Sequence, residues 1–349
     1  MRRLLLAVLL LCSWAAFAQE LRTTLTTQIK QLRAAAAAQP AGDEMWKDQK
    51  GDVDSLLNRA EAAVSAGRLY LGLDLVGYAG RALHSFENTR QQGTFQAAFD
   101  RDRLTLVSLD AKAHKRDWSN TPAAVRALAE SAQGQTLTLV DASKAYAEVT
   151  SRESGLYYLG EAKADAEFAS WLHGLGLKRS GTAFGARDIA AEIDTLQEKV
   201  TAAFQPPASI NNHRDFIHLN STLKLARELD GAGLHYGAVY QYMVALQQFG
   251  AMNEAAPTAE QQAKLREELA ASRAKFTKSK QDDSLALMFV ERAEEKLTSE
   301  KPSEAEVKAA AAIVQNVLPS YAALKNSPAP TRSKPPSDVV LTLVRWPYT

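Results

Sequence analysis

Three times in this chain a run of helix-forming residues stops at a glycine, and a second run begins at once with leucine, aromatic residues and another glycine. The stretches are "AGRLYLGLDLVGYAG" from Ala66, "SGLYYLGEAKADAEF" from Ser154 and "GAGLHYGAVYQYMVA" from Gly231. A glycine turn too short to span any distance leaves two helices lying antiparallel, so each stretch reads as an αα-hairpin. The glycines that follow, Gly72, Gly160 and Gly237, are expected to let neighbouring backbones approach while the aromatic residues fill the core. Their spacings are 88 and 77 residues, so any repeat has no fixed period.

The remaining pattern agrees with helix. Val53, Leu56, Leu57, Ala60, Ala63 and Val64 recur at steps of three or four, as do Phe216, Leu219, Leu223, Ala226 and Leu229. That spacing lines one face of a helix. Helices are also expected over Leu21 to Ala38, over Thr258 to Phe276 and after an Asp283 or Ser284 cap. Ser303 and Glu306 carry capping-box spacing before another. "LTLVSLD" and "TLTLVD" have strand propensity, but their alanine-rich neighbours favour helix. The expected fold is all-α: stacked antiparallel helical hairpins, forming a solenoid-like array or an irregular bundle, with a short C-terminal strand.

The ends differ from the middle. The start, "MRRLLLAVLLLCSWAAFAQE", has a basic pair, a short apolar run and Ala16-Phe17-Ala18. This is the layout of a secretory signal peptide, too short and wrongly flanked for a membrane span. Cleavage after Ala18 would remove Arg2, Arg3 and the lone Cys12, leaving 39 basic against 40 acidic side chains. A cysteine-free exported chain of this size points to a bacterial product, periplasmic or secreted and stabilised by its core. It has no thiol for catalysis or metal binding. Near-neutral charge gives no general attraction to nucleic acid. The expected divisions are residues 1–18 as signal peptide, 19–325 as helical domain, 326–338 as a proline-rich linker and 339–349 as a strand-like tail. The tail either crosses its own domain or joins a partner's sheet edge.

The motifs that suggest chemistry lack companions. His213, Arg214, Asp215 and Asn220 have the spacing of a protein-kinase catalytic loop. No Gly-rich loop followed by a lysine-bearing strand lies upstream, and no D-F-G follows. The local explanation is a helix start: Asn211 or Asn212 as cap, Asp215 facing the dipole, Phe216 turned inward. S-x-x-K occurs at Ser221–Lys224 and Ser272–Lys275 without its S-D-N and K-T-G companions. The six histidines, His84, His114, His173, His213, His218 and His235, show no metal-ligand spacing, so no metal or cofactor is expected. Glu161 and Asp165, one turn apart with Lys163 and Glu167 nearby, read as a solvated helix face.

The aromatic residues of the second helices are the remaining candidates. Tyr70, Tyr78, Tyr157, Tyr158, Trp171, Tyr236 and Tyr240 would line one concave surface if the hairpins stack. Tyrosine suits such a half-wet groove; the alternative is that these rings are core spacers. The expected function is therefore a non-catalytic interaction or scaffold protein holding a peptide or protein partner. The competing expectation is an enzyme or small-ligand binder with a site assembled across helices.

Overall fold

The computed structural model describes residues 2–40, 43–113, 115–205, 213–253, 255–299 and 301–326. Among these the chain is helical, and the only strand-like feature is a single bridge between Thr182 and Gln281. The expected linker, the C-terminal strand and the Asn211 or Asn212 cap lie outside the described residues, apart from Asn326.

The helices fall into two sets of the same order. The first comprises α1 (Arg2–Ala37), α2 (Glu44–Ser65), α3 (Leu69–Thr89), α4 (Phe95–Ala113), α5 (Ala123–Val149) and α6 (Arg152–Gly174). The second comprises α7 (Ala190–Ala203), α8 (His213–Gly231), α9 (His235–Asn253), α10 (Ala259–Thr277), α11 (Ser284–Lys296) and α12 (Glu304–Ala312). A π-helical turn, Ile313–Val317, carries α12 on into α13 (Leu318–Asn326). The packing partners also correspond. α2 lies on α3, α4 on α5 and α3 on α6; likewise α8 lies on α9, α10 on α11 and α9 on α12.

The correspondence reaches individual residues. Val53, Leu57, Ala60 and Ala63 are buried on α2, and 166 positions later Leu219, Leu223, Ala226 and Leu229 are buried on α8. Both helices end in the same paired turn. Arg68 N–H donates to Ala63 O (2.8 Å) and Gly67 N–H to Val64 O (3.1 Å). Leu234 N–H donates to Leu229 O (2.9 Å) and Gly233 N–H to Asp230 O (3.0 Å). This is the Schellman arrangement, whose left-handed residue is glycine for want of a Cβ. Gly67 and Gly233 have φ of 74° and 78°.

The middle hairpin, α5–α6, differs from the expectation. The helix begins at Arg152, not after Gly155, because Ser151 accepts from Ser154 N–H and caps it. Gly155 sits inside the helix, where a Cβ would lie 2.5 Å from the Ala147 Cβ. The close approaches expected of the later glycines are present. A Cβ on Gly160 would meet the Ser85 Cα of α3 at 2.8 Å, and one on Gly237 the Ser131 N of α5 at 2.8 Å. Gly72 instead meets side chains, Val64 and Leu25. "LTLVSLD" and "TLTLVD" are helical, within α4 and α5.

The two sets lock together reciprocally, α5 against α9 and α11 against α3, so the hairpins close into a bundle and not an open stack. One apolar core runs through both sets, and a smaller one lies beneath α4. On α1, the described side chains that reach the core run from Ala18 to Ala36, including Leu21, Leu25, Ile29 and Leu32.

Buried carboxylates join the sets. The cap positions of α3 and α5 are Arg68 and Pro122, neither of which caps through its side chain. Free N–H groups at a buried helix start need acceptors. Glu291, the eighth residue of α11, accepts from Leu71 N–H of α3 (2.8 Å). Glu130, the eighth residue of α5, accepts from Tyr236 and Gly237 N–H of α9 (2.9 and 3.0 Å). Asp282 accepts from Ala123 N–H at the start of α5 (2.6 Å). Burial raises the Glu291 carboxyl to about 8, with the Leu71 N–H and Arg273 pulling it down.

Candidate functional site

Glu130, Glu291 and Asp282 are committed to these caps. A second group lies along α3. Asp74, Tyr78 and Arg81, at helical spacing, face a crevice completed by Ser131 and Gln135 of α5, Asp165 and Phe168 of α6, and Tyr240 and Gln241 of α9. Its volume is about 30 Å3, room for a water or two.

Two ion pairs frame it. At one end Arg292 of α11 donates to Asp74 Oδ2 (2.7 Å) and to the Tyr240 hydroxyl (2.6 Å), while that hydroxyl donates to Asp74 Oδ1 (2.9 Å). Both oxygens of Asp74 are therefore occupied. At the other end Arg81 donates through Nε and Nη2 to one oxygen of Asp165, Oδ1 (2.9 and 2.6 Å). Asp165 is 2% exposed, and its Oδ2 has no hydrogen-bond partner among the described residues. Burial raises its carboxyl to about 6, with Arg81 pulling it down. One turn earlier, burial raises Glu161 to about 7, with Arg81 pulling down and Asp165 pushing up.

The crevice shares Gly77, Arg81 and Phe168 with an adjoining groove. Phe168 lies over Gly77, where a Cβ would sit 2.7 Å from the ring, and both residues line the crevice and the groove. Trp171 stacks on Phe168 at 5.9 Å. With Leu32 of α1 and Val76, Gly80 and His84 of α3 they enclose about 110 Å3. His84 is tied through Nδ1 to Glu87 (2.8 Å), which raises its pKa. A larger depression of about 690 Å3 lies between α8, α9 and α12, but its Asp215, His218 and Glu304 are exposed to solvent.

The aromatic residues expected to share one surface are divided among several places. Tyr78 and Tyr240 meet in the crevice, and Trp171 stands in the adjoining groove. Tyr157 and Tyr158 are half-buried on α6; Tyr158 stacks on Tyr146 at 4.2 Å, and Tyr157 lies within electrostatic reach of Glu161 and Arg81. Tyr236 is held under Arg126 (4.2 Å), and its hydroxyl donates to Phe184 O. Tyr70 is buried near Glu291 and Asp282 at the start of α3. The solvated face expected at Glu161 and Asp165 is a correction: Glu167 is exposed, Glu161 half-buried and Asp165 buried. Lys163 misled, since it turns instead toward Asp102 (3.3 Å).

The kinase-like segment forms the first turns of α8. Asp215 is exposed in the first turn, Phe216 is buried, and Asn220 donates to Phe216 O (2.8 Å) and accepts from Gln197 (2.9 Å). His235 pairs with Asp230 (2.9 Å), and His173 packs edge-on against Trp118. Among the described residues no group of three or more His, Cys, Asp or Glu side chains is placed to hold a metal ion, and no helix is long and apolar enough to cross a membrane.

Sequence reasoning passed over Asp74, Arg81 and Arg292, whose partners lie 84 to 218 residues away. The available signal was the i, i+4, i+7 spacing of Glu161, Asp165 and Phe168, which sets two carboxylates on the face that carries a core aromatic.

Comparison with protein-family models, curated proteins and solved structures gives no match to this chain.

Proposed function

We propose that the protein is a non-catalytic helical interaction module that holds a peptide or protein partner in the cleft along α3. The observation that carries this is the contrast between two corresponding helix pairs. Where α12 and the π turn meet α9, their buried side chains are Val307, Ala310, Ala311, Ala312, Ile313 and Val317, all apolar. Where α6 meets α3, the contact buries Asp165 on a half-buried Arg81 and leaves an aromatic-lined groove. A buried ion pair seldom adds stability over apolar side chains of similar volume. The apolar pair achieves the same packing without one, which supports a role in recognition for the charged pair. The residue-level correspondence of the two sets supports reading the protein as a twofold helical repeat with one side specialised.

The groove is smaller than the ~300–1,000 Å3 of most small-molecule sites, which favours an extended partner that inserts a side chain. The test is selection of a random displayed peptide library on the full chain and on Trp171→Ala. Peptides enriched on the former and lost on the latter are expected. Equal enrichment, or none, would contradict the reading.

A second reading, acid–base chemistry, is favoured by one observation: Glu161 and Asp165, at about 7 and 6, lie near the pH at which a general acid or base works best. It requires a turnover that Glu161→Gln abolishes. Export is proposed from the N-terminal pattern alone; protein recovered from its native source should begin at Gln19.

A further inference from the structure

The cleft along α3 leaves one buried carboxylate oxygen without a donor among the described residues. It sets two carboxylates, Asp74 and Asp165, against two guanidinium groups, Arg81 and Arg292, with Glu161 one turn from Asp165. Arg292 is spent on Asp74 and Tyr240. Arg81 gives both of its hydrogen bonds to Oδ1 of Asp165, so Oδ2 stands buried, unpartnered among the described residues, in the wall of the crevice. A buried carboxylate oxygen without a donor is costly, and an incoming charged N–H donor would satisfy it. The approach to it is apolar and aromatic. The tip of the Phe168 ring packs on Gly77 where groove and crevice adjoin, Trp171 stacks beside it, and Tyr78, 41% exposed, stands at the rim. Such walls suit the aliphatic stem of a long basic side chain and favour its charged head. The volumes, about 110 Å3 and about 30 Å3, fit one side chain.

We propose that this cleft is a pocket for a lysine or arginine side chain of a partner peptide, with the stem against Phe168 and the cationic head on Asp165 Oδ2. The inference rests on the reading of the protein as a peptide-holding module and names what that module selects. Arg81 from α3 and Glu161 from α6 act on Asp165 directly; Asp74 and Tyr78 from α3 and Tyr240 from α9 share its crevice, Arg292 from α11 is held by Asp74, and Tyr157 from α6 reaches Glu161 and Arg81. α5 contributes only the neutral Ser131 and Gln135. Below about pH 6 a proton competes for the same carboxylate, so binding tightens as pH rises from 5 to 7.5.

The experiment is calorimetric titration of the full chain with four pentapeptides, Gly-Gly-X-Gly-Gly, where X is lysine, arginine, norleucine or glutamate. Lysine or arginine should bind at least tenfold more tightly than norleucine, and glutamate more weakly still. Asp165→Asn should erase that preference. Glu161→Gln, at a half-buried position and therefore safer for folding, should reduce it severalfold. Equal affinity for lysine, arginine and norleucine overturns the inference and leaves the peptide-holding reading standing. Binding by none of the four overturns both. A cationic preference that survives Asp165→Asn in a folded variant places the recognition elsewhere and also overturns the inference.

Discussion

The α3–α6 and α9–α12 pairs solve the same packing problem with different chemistry. In α9–α12 the side chains that α12 and the π turn bury are all small or branched apolar ones; α9 adds Met243, Tyr242, Gln241, which bonds to Ser131, and Tyr240, whose hydroxyl bonds to Asp74. α3–α6 buries Asp165 against a half-buried Arg81, and Asn88, which donates to Leu156 O (2.6 Å). Because α9–α12 holds its place without charges, the charges of α3–α6 are not what the arrangement needs. Two kinds of buried carboxylate stand apart here. Glu130, Glu291 and Asp282 accept from helix N-termini that nothing nearby in sequence could cap. Asp165 turns one oxygen to a guanidinium and the other to a crevice.

The strongest way to break this contrast is to leave half of the ion pair behind. Asp165→Ala strands Arg81 in the bundle and should cost about 3–5 kcal/mol in urea unfolding. A loss below about 1 kcal/mol would show that Arg81 escapes to solvent. Somewhat smaller losses, about 2–3 kcal/mol each, should follow Glu291→Ala and Glu130→Ala, which orphan buried N–H groups. Glu291→Gln keeps the acceptor and should cost less than about 1 kcal/mol. If alanine and glutamine prove equally costly, the carboxylates are not acting as caps.

Stability against pH sharpens the contrast further. Asp165 and Glu291 have folded pKa values of about 6 and about 8, above the ordinary carboxylate range. Between that range and those values the folded state holds more protons than the unfolded one, so stability falls as pH rises. The fall from pH 5 to pH 8 should be about 5 kcal/mol, with its upper part, from pH 6 to pH 8, flattened by Glu291→Gln. A thermal midpoint that rises over that interval would contradict both assignments.

How much of this was legible in the sequence follows from the range of each interaction. Local signals read well. The Gly67 and Gly233 turns, the Ser303–Glu306 capping box and the buried stripes of α2 and α8 all depend on residues within a turn or two. Gly155 was misread because a glycine serving close approach looks the same in sequence as one serving a turn, and Ser151 was the true boundary. Of the expected aromatic surface, Tyr78, Tyr240 and Trp171 reach the cleft; Tyr70 and Tyr236 sit near helix starts instead. The ion pairs and the caps were invisible because their partners are 84 to 220 residues apart. Their one trace was negative: α3 and α5 begin at Arg68 and Pro122, neither a side-chain cap.

The smallest expected effect is the most telling. Arg81→Met combined with Asp165→Leu gives α3–α6 the apolar chemistry of α9–α12. Measured by urea unfolding beside Asp165→Ala, the double variant should lie within about 1 kcal/mol of the parent protein or above it, with the 3–5 kcal/mol loss of the single variant recovered. A double variant as unstable as Asp165→Ala would mean that the fold itself depends on the ion pair, and the division between packing charges and recognition charges would be wrong.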